Sequence, residues 1–125
     1  MPGLFIHESK IFHFCSSVSG NANHCFNFHY QNNQTYHIVI KQFPQKSNHT
    51  CNVSYMYQTE IDGKQKHSVV NNNPQEFKNV KLYTSNPWNI PFTSDIGLLQ
   101  NLQVEQGDFL SLFIFDVDEI IMFNN

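Results

Sequence analysis

The sequence predicts an all-β protein, an antiparallel β-sandwich of jelly-roll type, and three observations carry that prediction. Phe contributes 12 residues while charged residues make up only 14% of the chain, well below the roughly 25% of an average soluble domain. Ala, Glu and Lys, the common helix formers, are scarce, whereas aromatic and β-branched residues suit a pleated surface. Short alternating runs are separated by turn residues at intervals of about 8 to 12 positions, the rhythm of a sandwich. At 125 residues the chain has length for one core and none to spare for a second.

The elements follow in order. Lys10 to Ser17 and His24 to Tyr30 alternate aromatic with polar residues, and "SGNAN" between them tolerates left-handed backbone, so the pair reads as a hairpin centred on Gly20. The run Thr35 to Phe43 is strand-like and is expected to stop at Pro44. Val53 to Ile61 and Lys64 to Val70 flank Asp62-Gly63, the residue pair that best supports a type I′ two-residue turn. A short run at Phe77 to Thr84 precedes a loop through Pro87, Trp88 and Pro91. Ile96 to Val104 is taken as a strand although its alternation is not clean. In the apolar tail, Asp116, Asp118 and Glu119 are expected to turn one short strand back into another. The domain is therefore placed at 1–107, with 108–125 supplying extra strands or opening a further repeat.

Charge narrows the function classes. The net charge of −3 comes without a basic run, so nothing provides the electrostatic footprint of a nucleic-acid partner or an anionic lipid surface. No apolar stretch nears the roughly 20 residues of a spanning helix, and insertion in a membrane is not expected. The start, "MPGLFIHESK", lacks the basic and apolar regions of a secretory signal. A secreted protein with this sequence is expected to carry its signal upstream, in a longer precursor.

The pieces "FCSSVSGNANHCFN", "IDGKQKHSVVNNNPQEFKNVKLYTSNPW" and "GLLQNLQV", in that order, resemble the concanavalin A-like, laminin-G-like jelly-roll modules of invertebrate extracellular proteins. The resemblance runs from about Lys10 to Glu105 and rests on Asp62, Gly63, Lys64, His67, Ser68, Val69, Asn71, Phe77, Val80, Pro87, Trp88, Asn101 and Leu102. Asn86 and Gln100 depart from it, standing where such modules carry Asp and Arg. The resemblance implies about two further strands ahead of Leu4, and a non-enzymatic recognition or adhesion role with a glycan or an extracellular protein as partner. The competing expectation is a purely structural unit of a multidomain extracellular protein.

Several constellations bear on chemistry. Register about Gly20 sets Cys15 opposite Cys25, at a separation that a cross-strand disulfide can bridge, and a disulfide implies an oxidising compartment. Cys51 is left over. Asn33, Asn48 and Asn52 head glycosylation sequons, though a chain this rich in Asn, Ser and Thr produces such triplets by chance. His13, Cys15, His24, Cys25 and His29 invite a zinc reading, but strand periodicity points His24 and Cys25 to opposite faces, and no metal cofactor is expected from them. Asp116 and Asp118 share a strand face, as the carboxylates of a β-glucanase do. Position 121 is Ile121 rather than an acid, so the two-carboxylate pattern of a glycan hydrolase is incomplete. Solvated acids are the simpler reading of this pair, with calcium the cation their oxygens suit. A sugar site, with aromatic faces for stacking and amides or acids for hydroxyls, is drawn from Tyr83, Trp88, Asn86, Asn72 and Asp95. Trp88, set between Pro87 and Pro91, fits a core-sealing role at least as well.

Overall fold

The computed structural model describes residues 3–7, 10–46, 53–74, 98–107 and 110–118. Among them are eight strands and no helix: β1 (Gly3–His7), β2 (Ile11–Val18), β3 (Asn21–His29), β4 (Tyr36–Lys46), β5 (Val53–Ile61), β6 (Lys64–Asn71), β7 (Leu98–Gly107) and β8 (Leu110–Asp118). They form a three-stranded sheet in the order β1-β2-β3 and a five-stranded sheet in the order β6-β5-β4-β8-β7. Every pairing is antiparallel.

Alternation decides what each strand buries. On β2 the inward positions are Phe12, Phe14, Ser16 and Val18. From the other sheet come Tyr36, Ile38 and Ile40 of β4, Tyr57 and Ile61 of β5, and Phe113, Phe115 and Val117 of β8, all in one buried cluster with Phe12, Phe14 and Val18. The two sheets therefore close over a common core. Phe12 lies at its centre, stacked on Tyr30 with ring centroids 4.8 Å apart and meeting the edge of Tyr36 at 5.4 Å. Both geometries suit the quadrupoles of the rings.

The turn residues behave as their chemistry dictates. Asp62 and Gly63 have φ of 53° and 75°, the doubly left-handed pair of a type I′ turn. The β2–β3 connection is tighter than the five residues "SGNAN" suggest: Ser19 and Gly20 alone make the turn, with φ of 50° and 83°, and pairing resumes at Val18 and Asn21.

Two expectations are corrected, and a third is explained. β4 does not stop at Pro44 but continues to Lys46, with Pro44 paired to Tyr55. Its register with β8 ends at Gln42, so among the described residues one flank of β4 has no ladder there and a residue lacking an N–H is tolerated. Asp116 is not in a turn: β8 runs unbroken through it, and its outward position lets a charged side chain interrupt an apolar run without entering the core. The uneven pattern of the seventh strand reflects an irregularity in register between Gln100 and Gln103, where Asn101 has φ of 54°. An extra residue at such a bulge moves the side chains beyond it to the opposite face. The expected strand at 77–84 and the loop through Trp88 lie outside the described residues.

Candidate functional site

Cys15 and Cys25 face each other across β2 and β3 and form a disulfide, with Cα atoms 4.2 Å apart. The bond lies on the outer face of the three-stranded sheet, away from the core. His13 shares that face two positions before Cys15, and its Nδ1–H donates to Asn27 Oδ1 at 2.5 Å. Phe5, half exposed and paired with His13 in register, flanks it with its ring centroid 6.3 Å from the imidazole.

The outer face of the five-stranded sheet carries a second set of groups, held in pairs by hydrogen bonds. His37 Nδ1–H donates to Asp116 Oδ1 at 2.6 Å, and Asn101 Nδ2–H donates to Oδ2 of the same carboxylate at 2.8 Å. These bonds, Asn101 first and His37 second, hold the Asp116 carboxyl below the usual carboxylate range. Nearby, Lys41 Nζ contacts Glu60 Oε1 at 2.6 Å, and Gln58 Nε2–H donates to Ser68 Oγ at 3.1 Å. Val39, Phe43, Met56, Leu112 and Ile114, partly exposed on the same face by register, fill the spaces between these pairs. The Lys41 ammonium sits 5.6 Å from the centroid of the Phe43 ring. Such a face offers fixed donors and acceptors beside apolar surface.

A third polar group lies between the sheets, where inward positions of β3 and β6 meet. His24 Nε2 and His67 Nε2 are 2.8 Å apart, so one ring donates an N–H and the other accepts with its lone pair. The imidazole of His67 also stacks on Phe26 at 4.9 Å, nearly parallel. Burial first, and the charge of His24 second, push the His67 pKa down. Beyond them sit Ser16, Tyr57 and Thr59, all buried. Burial pushes the Tyr57 phenol up, while the neighbouring Thr59 and Ser16 hydroxyls pull it partly back. Those neighbours lie close enough to be felt but off good hydrogen-bond geometry, and among the described residues Tyr57 Oη and Thr59 Oγ1 find no well-formed bond.

The structure places some of the residues singled out in the sequence and leaves others aside. Tyr83, Asn86, Trp88 and Asp95 lie outside the described residues, as do Cys51, Asn48 and Asn52. Asn72 is exposed at the end of β6, where its backbone N–H donates to Ser19 Oγ at 2.9 Å. Asn33 occupies an exposed turn with φ of 59°. Of the His and Cys set, His24 faces inward, whereas His13, Cys15, Cys25 and His29 occupy outward positions. Reasoning from sequence missed His37 and Asn101 as partners of Asp116, and His67 as the partner of His24. Outward polar residues on strands are too common to mark a site, and nothing local signals a partner 79 or 43 residues away.

No protein-family model, no curated protein and no solved structure matches this chain. Among the described residues no helix is long and apolar enough to cross a membrane.

Proposed function

We propose that this chain is a non-enzymatic extracellular recognition or adhesion module of the jelly-roll, concanavalin A-like class, with a glycan or an extracellular protein as its ligand. One observation carries the proposal: the outer face of the five-stranded sheet presents polar groups already fixed in pairs beside partly exposed apolar side chains. Hydroxyl-rich ligands are recognised by such preorganised donors and acceptors, and apolar side chains supply contact for sugar C–H surfaces or for a protein partner. Asp116, with its carboxylate oriented from both sides by His37 and Asn101, is a fixed anionic acceptor on this face. The cross-strand disulfide supports an oxidising compartment, and two antiparallel sheets over one core support the jelly-roll class.

A glycan array with the purified protein tests the proposal. Binding to a defined glycan class, lost on Asp116→Asn and weakened on Phe43→Ala without change in the circular-dichroism spectrum, is the expected result. Binding lost on Trp88→Ala but kept in those two variants moves the site to the loop through Trp88. No binding on the array and none to extracellular protein libraries leaves a purely structural module.

A further inference from the structure

The outer face of the three-stranded sheet carries a second possible chemistry. His13 and Cys15 are two apart on β2, and Cys25 is directly across from Cys15 on β3. One ligand atom from each of the three lies within 4.8 Å of the others. Two ligands at i and i+2 on one strand and a third on the antiparallel neighbour place three donors on one side of a sheet, and a tetrahedral ion bound there keeps its fourth position toward solvent. Imidazole and thiolate are the donors zinc prefers. A second observation supports the arrangement. The bond from His13 Nδ1–H to Asn27 Oδ1 fixes the tautomer in which Nε2 bears the lone pair, and metal-binding histidines are oriented by this kind of bond to a carbonyl oxygen.

We propose that reduction of the Cys15–Cys25 disulfide converts this face into a zinc site held by His13, Cys15 and Cys25, with water in the fourth position and Asn27 as the positioning residue. The exchange balances with a small thiol as reductant: the disulfide accepts two electrons and two protons, giving two cysteine thiols, while two thiol molecules join as a disulfide. Zinc then displaces both thiol protons to solvent and binds the two thiolates. Oxidation reverses the sequence and expels the ion, so disulfide and metal are alternative cross-links at one position.

The test uses the full chain carrying Cys51→Ser, so that only the two cysteines in question report. Cobalt(II) and zinc are titrated into oxidised and reduced protein against a chromophoric chelator, with cobalt spectra read for tetrahedral d–d and thiolate charge-transfer bands. The reduced protein is expected to bind one ion per chain with both bands, and the oxidised protein to show neither. His13→Ala is expected to alter the d–d bands and weaken binding by more than Asn27→Ala does, and Asn27→Ala by about 10- to 100-fold. Should the reduced apoprotein unfold, zinc is expected to restore its β spectrum in a His13-dependent manner. Equal affinity of the oxidised and reduced forms, or unchanged affinity and spectra in His13→Ala, overturns the proposal. So does a reduced protein that zinc fails to refold.

Discussion

Asn71→Ala is expected to be among the most damaging polar substitutions in the chain. Asn71 is 1% exposed and sits at the end of β6, where it ties three segments together. Its Oδ1 accepts from the backbone N–H of Ser19 at 2.8 Å and of Asn73 at 3.2 Å, and its Nδ2–H donates to Gln42 Oε1 at 2.8 Å. Alanine removes all three bonds and leaves two backbone donors and one side-chain acceptor in part-buried surroundings. At a net value of about 1 kcal/mol for each neutral bond, the loss comes to about 3 kcal/mol, and groups left unpaired add to it rather than subtract. For a domain of this size that corresponds to a fall in Tm of roughly 10 °C. Urea denaturation followed by circular dichroism measures it, with a lower midpoint at unchanged m as the signature of lost stability alone. Asn72→Ala is the internal control. Its own structural bond comes from the backbone N–H, which alanine keeps, and the exposed side chain should be worth less than about 0.5 kcal/mol. A loss below about 1 kcal/mol for Asn71→Ala, or equal losses for the two variants, would falsify the bridging role.

Four further outcomes are expected. Replacing both Cys15 and Cys25 by Ala opens a loop with a separation of 10 residues and should cost about 2–3 kcal/mol by chain-entropy arithmetic; thiol titration of the denatured wild type should find Cys51 as the single free thiol. His67 has a lowered pKa in the fold, so its contribution to stability is complete above the unfolded value of about 6.5 and is lost as pH falls through the folded value. The urea midpoint should therefore decline on acidification below about pH 6.5, and the decline should be shallower in His67→Phe, which keeps the stack on Phe26. Gly63→Ala meets no atom within 4 Å, so its cost is the left-handed backbone alone, about 1–2 kcal/mol in the same urea assay. Phe12→Ala empties the centre of the core and should cost about 3–5 kcal/mol, with calorimetry showing a corresponding fall in Tm.

What the sequence revealed of the fold was what depends on neighbours along the chain. The Asp62-Gly63 hairpin was legible because two residues with left-handed backbone fix both the turn and the register of its strands. Cys15 opposite Cys25 was read correctly from a turn centred on Gly20, although the turn lies at Ser19-Gly20 and it is the register shift between Ser16 and Val18 that brings the two cysteines level. Pro44 misled because the cost of a proline depends on which flank of the strand is paired, a property of β8 and not of β4. Asp116 misled because an acid within an apolar run looks the same whether it marks a turn or an outward position on a strand. The meeting of His24 with His67, and of Ser19 with Asn71, belongs to the packing of one sheet on the other, with partners 43 and 52 residues apart. No local period records such contacts. The same holds for the face proposed to bind ligand: its residues come from four or more strands, each unremarkable alone.

The place of β8 has a consequence for how the protein is made. This strand is the last described in the chain, yet it lies in the interior of the five-stranded sheet, joining β4 to β7. His37 on β4 meets Asp116 on β8 across 79 residues of sequence. During synthesis the β6-β5-β4 meander is complete long before β8 emerges, and until then β4 has an open edge bearing unpaired backbone groups beside Ile38 and Ile40. An open edge of that kind recruits any extended strand, including one from a neighbouring nascent chain. Truncation from the C-terminal side should accordingly yield sticky, self-associating chains, and folding of the intact protein should be governed by how quickly its last strand finds the gap awaiting it.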